Sequence, residues 1–84
     1  MTIDQLRNKI DAIDAEMIQL FESRMNIVKD IGALKKRNQV DVLDLNREAQ
    51  VIAKVVSRLQ NKAIEPYAIQ LFETLMRVSK DYQK

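Results

Sequence analysis

The fold of this chain is decided by residues 3–34, IDQLRNKIDAIDAEMIQLFESRMNIVKDIGAL. One seam of positions runs through the whole stretch with alternating spacings of three and four residues. Its members are Ile3, Leu6, Ile10, Ile13, Met17, Leu20, Arg24, Ile27, Ile31 and Leu34. These spacings form a heptad pattern, which is typical of a helix that packs along one stripe. We predict one helix from about residue 4 to about residue 37.

The length of this helix predicts a second chain. At 1.5 Å per residue it is about 50 Å long, which is well beyond the diameter expected for an 84-residue globule. The remaining residues of one chain cannot cover a seam of that length. We therefore expect a helical dimer.

The rest of the chain predicts two shorter helices. Residues 38–43 are β-branched and polar and indicate a loop, and Asp44 is a suitable N-cap for a helix that continues to about Asn61. Pro66 stands where a proline at the first helical position belongs, which predicts a third helix over about 66–83. The predicted fold is all-α, with three helices per chain in a single domain of residues 1–84. The expected apolar faces contain Ile52, Val55, Val56, Leu59, Ile69, Phe72, Leu75 and Met76.

Composition excludes several classes of function. The chain has no histidine and no cysteine, so Ser-His-Asp and Cys-His catalysis are impossible, and we expect no metal and no cofactor. Aromatic residues are 5% of the chain and the net charge is +2, which argues against a nucleic-acid partner. The chain has neither an apolar run of about 18 residues nor a signal-peptide pattern, so we expect a cytoplasmic protein without a membrane segment.

Arg24 interrupts the apolar seam, between Leu20 and Ile27. A buried arginine is costly unless it is paired with an anion. One interpretation is register control, in which a polar seam position sets how two helices pair. The alternative is that Arg24 faces a cavity and binds an anionic ligand through two hydrogen bonds.

Two more cations flank this position. Lys35 lies three turns after Arg24 and within about 20° of the same helix face. Arg7 lies about 26 Å from Arg24 along the helix axis, so the two cannot touch one small ligand from the same chain. An antiparallel partner helix could bring Arg7 of one chain towards Arg24 of the other. Taken singly, charges such as Arg7 and Lys35 are more often surface residues that extend into solvent.

The other two helices add polar groups next to their apolar faces. Ser79 and Gln83 extend the apolar stripe of the third helix, and Arg47 and Glu48 lie in the first turn of the second. Fraying of the last turn and surface ion pairing are the simpler explanations. Together these positions supply cations, an acid, an amide and a hydroxyl on helices.

The ordered set of these motifs resembles the AroQ-type, all-helical chorismate mutases. The residues that carry the resemblance are Leu6-Arg7, Ile10-Asp11, Ile13-Asp14, Arg24, Ile31-Gly32, Lys35, Asp44-x-x-Arg47-Glu48 and Ser79-x-x-x-Gln83. The resemblance covers nearly the whole chain. It implies an intertwined homodimer of three-helix chains, in which the long first helices span both subunits.

The resemblance also implies a role for each residue. Arg24 and Arg47 are expected to bind the two carboxylates of chorismate, with Arg7 supplied by the other subunit. Lys35 and Gln83 are expected to donate hydrogen bonds to the ether oxygen of the breaking bond. The remaining expectations are that Glu48 and the backbone near Asp44 hold the ring hydroxyl and that Ser79 lies near the ring carboxylate. The implied catalytic set is Arg24, Lys35, Glu48 and Gln83.

The expected reaction suits this inventory. Rearrangement of chorismate to prephenate, a step of phenylalanine and tyrosine biosynthesis, is intramolecular and needs no nucleophile or metal. The enzyme selects a compact conformer and stabilises charge on the ether oxygen. Three alternatives stay open: an isochorismate pyruvate lyase, which shares the fold; a regulatory domain that binds chorismate or prephenate; and a helical dimerisation module with no ligand.

Overall fold

The computed structural model of the protein describes residues 1–83. All regular secondary structure in that part of the chain is helical. Helix α1 spans Ile3–Arg37, α2 spans Leu45–Arg58 and α3 spans Glu65–Gln83, with a short 3₁₀ turn at Lys62–Ile64 before α3. The prediction of an all-α chain with three helices is confirmed, and residues 1–83 contain no strand. Within the same residues, no helix combines the length and the apolar character needed to cross a bilayer.

Helix α1 begins at a capping box and ends in a basic turn. The Thr2 hydroxyl accepts a hydrogen bond from the Gln5 amide at 3.2 Å, and the Thr2 amide donates to the Gln5 side chain at 2.8 Å. At the other end, Lys35, Lys36 and Arg37 lie in the last turn, where cations interact favourably with the helix dipole. These two ends confirm the predicted long helix to within one residue.

Helix α2 ends earlier than predicted. Asp44 is its N-cap, accepting from the Arg47 amide at 3.0 Å, but the helix stops at Arg58 rather than near Asn61. Leu59 is extended, with φ −76° and ψ 123°. The Asn61 side chain instead accepts from the Ala63 amide at 3.1 Å and caps the 3₁₀ turn. Asparagine competes with helix continuation through such local bonds, which explains the early stop.

The start of α3 also differs from the prediction. The 3₁₀ turn runs directly into α3, so Glu65 is already helical, with φ −52° and ψ −48°. Pro66 therefore occupies the second helical position and not the first. Its missing N–H is still one of the four that have no partner inside a helix, so the proline is tolerated there.

Helix α3 packs against both α1 and α2, while residues 1–20 of α1 stay exposed. The fold is elongated, with extents of 54 × 24 × 16 Å. Val28 of α1 and Met76 of α3 are its most buried apolar side chains, and every residue from 1 to 20 is exposed. The apolar members of the seam stay exposed along the whole of α1. This confirms that one chain cannot cover the seam.

Candidate active site

A pocket of about 260 Å³ lies where three segments meet. The C-terminal half of α1 forms one wall, the loop and first turn of α2 form another, and the last turns of α3 form the third. Its polar and charged lining residues are Arg24, Lys35, Asp44, Arg47, Glu48, Ser79 and Gln83. Seven of the eight side chains singled out in the sequence therefore surround one pocket. Apolar residues complete it: Val28, Ile31, Val42, Val51 and Met76.

Arg24 is half-buried and is held by α3. Its Nη1 donates a hydrogen bond to the Ser79 hydroxyl, and Ser79 in turn donates to the Leu75 carbonyl at 2.6 Å. Ser79 is buried, with 5% of its surface exposed. The one ion pair among residues 1–83 joins two other side chains, so no carboxylate of that part of the chain neutralises Arg24. A partly buried cation without an anion is suited to an anionic ligand.

Lys35 lies at the opposite end of the pocket from Arg24, about 17 Å further along α1. Its ammonium group donates to the Val42 carbonyl at 3.2 Å, which ties the loop to α1. A lysine ammonium has three donors. At least one N–H beyond the Val42 bond is therefore open to a ligand.

The first turn of α2 contributes a cation and an acid. The Asp44 cap orders this turn, so that Arg47 and Glu48 both line the pocket. Glu48 Oε2 lies 3.0 Å from the Lys80 ammonium of α3. The two acids of the pocket are thus engaged, one in a helix cap and one in an ion pair. The guanidinium groups of Arg24 and Arg47 have no acidic partner among residues 1–83.

Gln83 presents an orphaned amide group. Its Oε1 is buried and has no hydrogen-bond partner among the described residues. A buried polar atom in that condition costs free energy until a partner is supplied. A terminal amide can turn either its oxygen or its NH₂ towards a ligand, so this position can accept or donate.

The structure does not bring Arg7 into this pocket. Arg7 lies on the exposed N-terminal half of α1, about 26 Å along the axis from Arg24. Sequence reasoning also missed Lys80 as the partner of Glu48. That pair joins α2 to α3 across 32 residues, and no local pattern in one sequence reveals such a contact. No group of three histidine, cysteine, aspartate or glutamate side chains within residues 1–83 is placed to hold a metal ion.

The known proteins that are similar to this chain include the following three. A 4-amino-4-deoxychorismate mutase of Streptomyces pristinaespiralis is 31% identical over 75 residues, covering 88% of this chain and 58% of the relative. A chorismate mutase of Methanocaldococcus jannaschii is 26% identical over 81 residues, covering 95% and 82%. A T-protein of Haemophilus influenzae is 32% identical over 50 residues, covering 60% of this chain and 13% of its own length. The chain thus spans a little over half of the first relative. No solved structure matches it.

The family match covers more of the chain than the first and third of these relatives do. The model of the family described as chorismate mutase type II matches residues 6–84. That range includes α2, α3, all of α1 except its first three residues, and every side chain that lines the pocket. The protein therefore belongs to the type II chorismate mutase family.

Proposed function

We propose that this chain, as one domain of residues 1–84, catalyses the rearrangement of chorismate to prephenate in a homodimer. The observation that carries the proposal is the pocket in which Arg24, Lys35, Arg47 and Gln83 converge from three segments. Chorismate has two carboxylates and an ether oxygen, and the pocket offers cations and an orphaned amide. Membership of the family supports the same activity.

The arginines bind the substrate. Arg24 and Arg47 each take one carboxylate, and a guanidinium can do so through two parallel hydrogen bonds. The bond to Ser79 restrains Arg24 before the ligand arrives, and this supports a position for Ser79 near the ring carboxylate. Clamping both carboxylates holds a flexible dianion in the compact conformer from which the reaction proceeds.

Lys35 and Gln83 stabilise the transition state. The ether C–O bond breaks as a C–C bond forms in the same molecule, so no group leaves and no proton transfer is required. Negative charge builds on the ether oxygen, and the Lys35 ammonium and the Gln83 amide donate hydrogen bonds to it. Donors fixed in place before the reaction are worth more in a site without water than in solution. Glu48 and the backbone near Asp44 hold the ring hydroxyl.

The exposed seam of α1 supports the homodimer. Ile10, Ile13 and Leu20 are 56%, 57% and 69% exposed, and large exposed apolar stripes mark interaction surfaces. An apolar groove of about 570 Å³ between α1 and α3 joins this seam to the pocket at Arg24. A second, antiparallel copy that covers both places its Arg7 near the first copy's Arg24 and closes the pocket to water.

A direct assay tests the activity. The purified chain is mixed with chorismate, the loss of chorismate absorbance is followed, and the product is identified. We expect prephenate, and a dimer by sedimentation. Release of pyruvate from isochorismate with no turnover of chorismate would instead establish the lyase, and binding without turnover of either would establish a regulatory domain.

A second candidate substrate is 4-amino-4-deoxychorismate, because the relative that is 31% identical carries that name. It differs from chorismate by an amine in place of the ring hydroxyl. Such an amine is protonated at neutral pH, and the Lys80 ammonium lies 3.0 Å from Glu48 Oε2, where the proposal places the ring substituent. The Lys80 ammonium offsets the charge of Glu48. A substrate with a neutral ring hydroxyl is therefore favoured over one whose amine would bring a second cation.

The two substrates are distinguished by the ratio of their kcat/KM values. We expect the wild type to prefer chorismate, and Lys80→Gln to reduce that preference by about two- to fivefold, the scale of a partly exposed ion pair. Lys54→Gln, on the exposed face of α2, is the matched control and leaves the ratio unchanged. A wild-type preference for the amine would reverse the assignment.

A further inference from the structure

We propose that Gly32 is a positioning residue for the reaction, because the space left by its missing side chain sets where Gln83 presents its amide. The inference rests on the proposed function, in which Gln83 donates to the ether oxygen. Gly32 is the single glycine of the chain and is buried in α1, where that helix meets α3. In the sequence, Gly32 contributes to the family resemblance, but no role is predicted for it.

The need for glycine here is one of space. A Cβ at position 32 would lie 3.1 Å from the Cα, the Cβ and the Cγ of Gln83. Carbon atoms in comfortable contact are about 3.5–4.0 Å apart. Because a backbone atom is among the three, turning the Gln83 side chain cannot relieve the contact. The last turn of α3 must move away from α1 instead.

The backbone conformation gives no other reason for glycine. Gly32 has no positive φ, since the described residues contain no glycine in the left-handed region. It lies inside a continuous helix, where glycine is a poor helix former and alanine is the best. The residue therefore lowers the local helix propensity, and the close approach of Gln83 accounts for its presence.

The contact also places Gln83 beside Lys35. Val28, Gly32 and Lys35 follow one another at spacings of four and three, so they share one face of α1. Val28 and Lys35 both line the pocket. Gln83 rests on Gly32, less than one turn from Lys35, and its Oε1 is buried without a partner in residues 1–83. The two proposed donors are thus brought to the same end of the pocket by a contact that any larger side chain would force apart by a few tenths of an ångström.

The test is a double-mutant cycle between positions 32 and 83 in the full dimeric protein. We expect Gly32→Ala to lower kcat by about tenfold with little change in KM, since small misplacements of a positioned group have large effects on rate. In a Gln83→Ala background, Gly32→Ala should cause no further loss of kcat. Lys36→Ala, one turn away with an exposed side chain that does not line the pocket, is the control and keeps the wild-type rate.

The outcomes separate this inference from the proposed function. An equal loss from Gly32→Ala with and without Gln83 would mean that Gly32 acts on the fold and not through the amide. A wild-type rate in Gly32→Ala would also overturn the inference, although an active wild type would leave the proposed function standing. If Gly32→Ala folds poorly, the same double-mutant cycle is measured by thermal unfolding. Because Gln83→Ala keeps the Cα and the Cβ, the loss of Tm from Gly32→Ala should persist in that background, and an unchanged Tm in both backgrounds would contradict the contact.

Discussion

The two halves of α1 share one heptad pattern but have different surroundings. In the C-terminal half, Val28 is 6% exposed against α3, and the pocket forms beside it. In the N-terminal half, every residue up to Leu20 is exposed. Even in the C-terminal half, Ile27 is 60% exposed although its neighbour Val28 is buried. The stripe that packs within the chain is therefore rotated away from Ile27 and shares Arg24 with the seam.

This difference supports the proposal that a second copy completes the site. The face containing Arg24, Val28 and Gly32 is covered by α3 and positions the pocket. The apolar members of the seam stay exposed, and in the proposed dimer a second copy covers them and brings its Arg7 to the pocket. Four predictions test this division of α1, from the largest expected effect to the smallest.

The largest effect is expected from charges placed on the uncovered seam. Ile10→Asp with Ile13→Asp should dissociate the dimer and reduce activity to background, because a long helix without a packed face is marginal in water. Sedimentation and circular dichroism measure the change. Asn8→Asp with Gln19→Asp adds the same two carboxylates to exposed positions off the seam and should remain dimeric. A fully active monomer from the first pair would refute the role of the seam.

The next effect concerns the covered half. Arg24→Ala should lower kcat/KM by about 10²–10³-fold, the usual cost of removing one aligned donor from a site. The dimer should stay helical by circular dichroism. Arg77→Ala, on the exposed side of α3, removes the same charge elsewhere and should retain full activity. A more stable dimer of normal activity from Arg24→Met would favour register control instead.

Mixing two inactive variants tests both halves of α1 in one experiment. Arg7→Ala and Lys35→Ala should each be nearly inactive as homodimers. After unfolding and refolding together at equal concentrations, about a quarter of the sites should be intact, since half the dimers are mixed and each mixed dimer rebuilds one site. Activity of the mixture measures this fraction. No recovery would show that Arg7 does not act across the dimer.

The smallest effect is expected at the start of α1. Thr2→Ala removes the capping box and should cost about 1 kcal/mol of stability per chain, with kcat unchanged. Thermal unfolding at fixed protein concentration measures the loss. Thr74→Ala, whose hydroxyl donates to the Gln70 carbonyl within α3, serves as a matched control with a smaller effect. A large loss of activity from Thr2→Ala would place the N-terminus closer to the chemistry than proposed.

Much of the fold could be predicted because its signals are local. The heptad seam, the Asp44 cap and the proline each act within a few residues, so the three helices follow from the sequence. The two errors, at Asn61 and Pro66, lie in the 3₁₀ connection. There an asparagine side chain competes with the helix backbone, and this competition is poorly marked in sequence.

The sequence by itself determined the helices, the unpartnered seam and the absence of histidine and cysteine chemistry. Only the tertiary structure decided that Arg24, Glu48 and Gln83 share one pocket, that Lys80 pairs with Glu48, and that Gly32 makes room for Gln83. The physical reason is the distance along the sequence over which each interaction acts. Helix formation depends on neighbours within one or two turns, whereas these contacts join segments more than 20 residues apart and depend on how the helices pack.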